Sequence, residues 1–124
     1  MIFSSSVDTV PARQRGELVS YLMLQKGEAQ TAMTVTWVDI EPGGSQRLHS
    51  HNPQQVYVIV SGRGRMQVGD EEREVGRGEL VLIPSGAQHG IVNIGAERLT
   101  YVSAATPAFD LEVVYDEGQL AEGR

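Results

Sequence analysis

The sequence predicts an all-β domain, built as a sandwich or a barrel. Fourteen glycines and five prolines are spread along 124 residues. They separate short runs rich in β-branched residues, each about the length of one strand. No segment combines a 3.6-residue apolar period with helix caps, although residues 12–25 could be read as a helix. Many short strands with closely spaced turns are typical of sandwiches and barrels.

Ten strands are predicted, and they fill most of the chain. In order, they cover residues 17–24, 31–40, 46–50, 55–61, 64–68, 73–75, 79–83, 89–93, 99–104 and 111–115. We expect a single domain over residues 1–124, with an N-terminal arm at about residues 1–16 and a polar C-terminal tail at about residues 116–124. No internal repeat or linker divides the chain.

A hairpin is predicted where Gly69 and Asp70 separate an apolar strand from the charged run that follows it. Glycine in the first central position of a two-residue turn suits the twist of the flanking strands.

The strand over residues 55–61 is apolar on both faces. Tyr57 and Ile59 project to one side, while Val56, Val58 and Val60 project to the other. Such a strand needs one cover from its own core and another from a second sheet or subunit. This pattern favours a homodimer.

Composition excludes several classes of partner. The net charge of −6 opposes a nucleic acid or an anionic membrane as the main partner, and neither a helix-turn-helix nor a basic face is evident. The absence of cysteine excludes disulfides, thiolate ligands and a cysteine nucleophile. The longest apolar run, residues 56–60, is far too short to span a bilayer, and the first residues lack the features of a signal peptide. We therefore expect a soluble, cytoplasmic protein that binds a small molecule.

The three histidines of the chain form a candidate metal site. His49 and His51 lie two residues apart, so they project to one face of a strand, and Gln55 returns to that face if the intervening turn preserves parity. His89 begins a later strand, after a turn that contains Pro84 and Gly86. Neutral imidazole is the commonest protein ligand for transition metals, so the pattern predicts metal binding.

These residues belong to two spaced patterns. The first consists of Gly43, His49, His51, Gln55 and Gly62, and the second consists of Gly78, Pro84, Gly86, His89 and Asn93. They resemble the cupin superfamily, whose motifs read GxxxxxHxHxxxExxxxxxG and GxxxxxPxGxxHxxxN. The second motif matches at every position. The first departs from the family pattern at Gln55, where the family usually has glutamate.

The resemblance implies a double-stranded β-helix, or jelly roll, with one divalent transition metal ion inside the barrel. His49, His51 and His89 look like its ligands, and iron, manganese, nickel, zinc and copper all suit such a set. Gln55 offers a neutral carbonyl oxygen where glutamate would bring a charge, so the ion should bind less tightly and polarise a bound water more strongly. Gln55 is a ligand, a hydrogen-bond donor to substrate or a bystander. A cupin that has lost its metal is the opposing interpretation.

Two further side chains are candidates for the site. Tyr57 follows Gln55 on the same face and is a candidate acid or base, with packing inside the barrel as the alternative. Arg47 shares the parity of His49 and is a candidate for binding substrate, with a solvated position at the rim as the alternative. Asn93 is expected to hydrogen-bond a neighbouring loop.

Two functions remain open. One is a metal-dependent enzyme acting on a small organic molecule, either as a dioxygenase or as an isomerase or lyase that uses the metal as a Lewis acid. The alternative is a non-catalytic module that binds or senses a metal or small ligand. A titratable group in the pocket besides the histidines would favour the enzyme, and an apolar pocket would favour binding. Because ligating imidazoles must be neutral, metal occupancy should fall as the pH drops through roughly 6.

Overall fold

A computed structural model describes residues 2–110, and these form an all-β fold. The strands are β1 (Ala12–Arg15), β2 (Leu18–Leu24), β3 (Thr34–Ile40), β4 (Ser45–His49), β5 (Gln54–Ser61), β6 (Arg63–Val68), β7 (Glu71–Gly76), β8 (Leu80–Ile83), β9 (His89–Asn93) and β10 (Leu99–Thr106). A single 3-10 turn, Glu28–Gln30, is the helical element among the described residues. It is neither long nor apolar enough to cross a membrane.

Two antiparallel sheets form the jelly roll. One has six strands in the order β1-β2-β3-β10-β5-β8, and the other has four in the order β4-β9-β6-β7. Alternate side chains of the central strands point between the sheets, as in β3, where Thr34, Thr36, Val38 and Ile40 are all buried. The apolar core between the sheets comprises Leu18, Val38, Ile40, Tyr57, Ile59, Met66, Val75, Ile83, Ile91, Leu99 and Tyr101.

Nine of the ten predicted strands are present, with ends shifted by up to three residues. The tenth, residues 111–115, lies outside the described residues. The predicted hairpin is confirmed, because β6 and β7 pair around Gly69, whose φ is 59°. The two faces of β5 are also as predicted, since Tyr57 and Ile59 are buried and Val58 is exposed.

Residues 12–15, at the end of the predicted N-terminal arm, form strand β1. This edge strand pairs with β2 through a tight turn at Gly16, whose φ is 57°. Its sequence, Ala-Arg-Gln-Arg, lacks apolar alternation because the strand covers no part of the core. It pairs with β2 through backbone hydrogen bonds, which a hydrophobic pattern does not reveal.

A β-bulge interrupts the pairing of β4 with β9. Gln46 lies opposite Ile91 and His49 lies opposite His89, so Arg47 and Leu48 together face Gly90. The extra residue reverses the side-chain alternation within β4. Gln46 therefore joins His49 on the inner face, where strict alternation had placed Arg47.

The bulge depends on glycine at position 90. A Cβ there would lie 2.9 Å from the carbonyl oxygen of Gln46 and 3.1 Å from the amide nitrogen of Leu48. Both are backbone atoms, so neither can turn aside as the end of a flexible side chain could.

We expect the Gly90→Ala variant to lose about 1–3 kcal/mol of unfolding free energy, because the added methyl overpacks the bulge. Urea denaturation measures this loss. Gly76→Ala is the matched control: its Cβ would meet nothing closer than 3.6 Å, so its stability should stay near that of the wild type. Equal losses in both variants would show that the close approach at Gly90 has no special cost.

Candidate metal centre

Three histidines meet inside the barrel near one end. His49 ends β4, His51 lies in the loop that follows, and His89 begins β9 opposite His49. One ring nitrogen from each lies within 4.8 Å of the other two, a separation suited to one metal ion. The rings of His49 and His89 are closest, with centroids 4.2 Å apart.

Hydrogen bonds between loops hold this arrangement. The amide of Gly86, in the turn before β9, donates to the carbonyl of His51 at 2.9 Å. The Ser85 hydroxyl donates to the carbonyl of the next residue, Asn52. The loop that carries His51 is thus joined to the turn that leads to His89.

The expectation that Asn93 bonds a neighbouring loop is confirmed. Its amide nitrogen donates to the carbonyls of Ile40 and Glu97, at 2.8 and 2.9 Å, and its oxygen accepts from the Gly95 amide at 2.8 Å. These bonds fix the far end of β9.

Backbone carbonyls set the tautomer of every histidine in the cluster. Nδ1 of His49 donates to Arg47 at 2.7 Å, Nδ1 of His51 to Pro53 at 3.2 Å, and Nδ1 of His89 to Ala87 at 2.9 Å. A neutral ring that donates from Nδ1 carries its lone pair on Nε2. Nε2 of His51 and Nε2 of His89 are buried and have no hydrogen-bond partner among the described residues.

Burial keeps the imidazoles neutral. Desolvation, followed by the nearby His89, lowers the pKa of His49 from 6.5 to about 3. Desolvation also lowers the pKa of His89 to about 4 and lowers the pKa of His51. The hydrogen bonds to carbonyls oppose this effect but do not overcome it. All three rings therefore stay in the form that binds metal at neutral pH.

Gln55 is the fourth residue that the sequence predicts at the metal site. Its side chain is buried, and its amide nitrogen donates to the hydroxyl of Ser103 at 2.8 Å. Its carbonyl oxygen is buried without a partner among residues 2–110. It lies near His51 and raises the pKa of that ring, against the larger effect of burial. The two side chains do not meet hydrogen-bond geometry. Three imidazoles and a carbonyl oxygen fit a divalent transition metal ion.

The space beside the histidines is small, polar and uncharged. Its volume is about 10 Å³, enough for a single water molecule. Phe109 lines it, with its ring stacked on His51 at a centroid distance of 5.0 Å. Among the described residues, the lining has no acidic or basic side chain apart from histidine; it comprises Thr34, Thr36, Val38, Gln46, His49, Gln55, Tyr57, Tyr101, Ser103, Ala105 and Phe109.

Tyr57 and Arg47 occupy different positions relative to this space. Tyr57 lines it on the same strand as Gln55, with its ring 6.0 Å from that of His89 and stacked on Tyr101 at 4.4 Å. Arg47 lies at the bulge and lines a groove on the outer side of the four-stranded sheet. After burial and the other histidines, its charge makes a further contribution to lowering the pKa of His49. The catalytic role of Tyr57 and the substrate-binding role of Arg47 stay predictions.

Sequence reasoning missed four polar residues and one aromatic residue of the lining. The missed residues are Thr34, Thr36, Gln46, Ser103 and Phe109. Thr34 and Thr36 share the inward parity of Val38 and could have been found as polar residues on a buried face. Gln46 was hidden by the bulge, and Phe109 follows the last described strand, where no pattern marks it.

Comparisons with known proteins agree on the family. The model of the cupin domain family (Cupin_2) matches residues 36–105. A 75-residue segment, 59% of this chain, is 36% identical to an uncharacterized protein of Methanocaldococcus jannaschii and spans 60% of that relative's length. A 93-residue segment, 74% of this chain, is 31% identical to a segment of a gentisate 1,2-dioxygenase from Ralstonia sp.. The match covers 25% of that relative's length.

The fold comparison gives the same answer. The crystal structure of a predicted oxalate decarboxylase from Thermotoga maritima superposes with a TM-score of 0.77 at 18% identity, covering 86% of this chain and 99% of that one. At this identity the similarity concerns the fold alone. With the family match over residues 36–105 and the jelly-roll topology, the chain belongs to the cupin superfamily.

Proposed function

We propose that this cupin binds one divalent transition metal ion through His49, His51, His89 and Gln55 and acts as an enzyme on a small organic molecule. The observation that carries the proposal is that three imidazoles converge and that each Nδ1 is hydrogen-bonded to a backbone carbonyl. The carbonyl oxygen of Gln55, which is buried without a partner among the described residues, is the fourth donor in this proposal. Burying this oxygen and the Nε2 atoms of His51 and His89 without partners costs stability, and a bound metal ion would remove that cost.

The uncharged lining favours an anionic substrate. No carboxylate among the described residues lines the space, so the donor set leaves the charge of a divalent ion uncompensated. A bound ion would act as a Lewis acid on a coordinated oxygen or, if redox-active, support chemistry with O2. A substrate that brings its own negative group would bind there with favourable electrostatics.

The chain's own residues have positioning and proton-transfer roles in this proposal. Ser103 holds the Gln55 amide so that its oxygen faces the histidines. Phe109 stacks on His51 and lines the space, so its ring limits the room that a ligand has beside the histidines. Tyr57 and Tyr101 are the titratable side chains of the described lining besides His49, and Tyr57 is our candidate acid or base.

A non-catalytic binding or sensing module is the second candidate. The small space and the absence of a carboxylate from its described lining favour it, whereas the tyrosines and the polar lining favour an enzyme. The similarity to part of a gentisate dioxygenase supports the dioxygenase branch of the enzyme proposal. Metal-loaded protein incubated with small carboxylates, diketones, flavonols and sugar phosphates separates the two. O2 consumption or new NMR signals indicate an enzyme, and binding without product indicates a sensor.

We expect metal to co-purify with the wild-type protein and to be lost from the His51→Ala variant, because two imidazoles hold an ion too weakly. Elemental analysis measures the content. Gln54→Ala, an exposed neighbour, should keep wild-type levels. If Gln55 reaches the ion, Gln55→Leu should lose metal faster to a chelator and Gln55→Glu should retain it longer. Unchanged metal content in His51→Ala would contradict the assignment of the ligands.

The lowered pKa values move the expected pH limit of metal binding below the value of 6 that ordinary histidines suggest. A site with three histidines of pKa near 6.5 would lose roughly a thousandfold in metal affinity between pH 7 and about pH 5.5. At the lower pH, each ring would be only about one-tenth neutral. Here protonation begins only as the pH falls towards about 4 for His89 and about 3 for His49. We therefore expect a loss of less than about tenfold over that interval, measured by competition with a chelator of known affinity. A thousandfold loss would mean that the imidazoles are not desolvated.

A further inference from the structure

The inner face of the six-stranded sheet changes from apolar to polar towards the metal centre. The cross-strand row of Val38, Tyr101 and Ile59 belongs to the apolar core. The next row joins Thr36 to Ser103, and beyond it Thr34 and Gln55 flank Ala105. Gln46 enters the same space from the opposite sheet. We call Thr34, Thr36, Gln46 and Ser103 the polar floor.

Two acceptors of the polar floor are buried without partners. The carbonyl oxygen of Gln46 and the hydroxyl of Thr34 have none among the described residues, and these residues are only 3% and 2% exposed. Neither is part of the donor set assigned to the metal. Such groups cost stability unless a hydrogen bond satisfies them, so they indicate a polar occupant. The volume of about 10 Å³ admits one water molecule.

We infer that the polar floor binds a hydroxyl group of the substrate, which makes the substrate a small hydroxy acid. This inference rests on the proposed metal-binding function, because the carboxylate of the acid would face the ion while its hydroxyl donates to Gln46 or Thr34. The lining near the floor has no cation among the described residues. A second carboxylate placed there would be buried without a counter-charge, so the site favours a monoanion over a dicarboxylate.

The test compares two ligands that differ by one hydroxyl. Glycolate and acetate are titrated against Ni²⁺-loaded protein, and paramagnetic broadening of their NMR lines gives each Kd. Glycolate chelates metals better than acetate even in water. We therefore define the glycolate preference as the Kd of acetate divided by the Kd of glycolate, and measure how each mutation changes this ratio. We expect Gln46→Leu and Thr34→Val to reduce that preference about tenfold while metal content stays unchanged. Gln54→Leu, on the exposed side of β5, should have no effect.

An unchanged glycolate preference in both variants would overturn the inference. Thr34→Val is nearly isosteric and supplies the result if Gln46→Leu fails to fold. Wild-type protein that binds no Ni²⁺ would instead overturn the metal proposal, so the two failures are distinguishable.

Discussion

The pairing of β4 with β9 is the contact on which the candidate site depends. It places His49 directly opposite His89, and the bulge one step further along turns Gln46 into the same space. Without the extra residue, either Gln46 or His49 would face solvent, because adjacent side chains of a strand point to opposite faces. The missing side chain at Gly90 lets the two backbones come close enough for this register. One glycine therefore aligns residues that carry the chemistry.

Electrostatics inside the barrel follow from desolvation. Burial disfavours charge, so the histidines remain neutral and no carboxylate or ammonium group among the described residues lines the space. A neutral cage stabilises a cation through lone pairs rather than through opposite charge. Gln55 extends this character, because an amide supplies an oxygen without supplying charge. Under the proposed function, selection for an incoming anion would depend on the bound ion itself, while the surrounding hydroxyls and amides would recognise the rest of the molecule.

Much of the fold could be predicted from sequence, because alternation and turn residues are local signals. The histidine cluster was accessible for the same reason: His49 and His51 are two residues apart at the end of a predicted strand, and His89 follows a recognisable turn. Strand β1 escaped notice because its side chains bury nothing. Gln46 escaped because a bulge depends on how two distant segments pair, and no property of residues 45–49 alone reveals the extra residue. The small volume beside Phe109 depends on the packing of both sheets, which only the structure supplies.

The division of the barrel into a polar end and an apolar end has a consequence for how such a protein changes over evolution. The residues that hold the sheets together, such as Ile40 and Leu99, lie in the apolar core, whereas the polar end contributes buried groups that lack partners. Substitutions at the polar end can therefore alter ligand recognition without removing the contacts that keep the chain folded. A replacement there that fills space with apolar groups would even raise stability while abolishing binding. The fold can thus acquire new specificities through one end of its interior while the other end preserves the architecture.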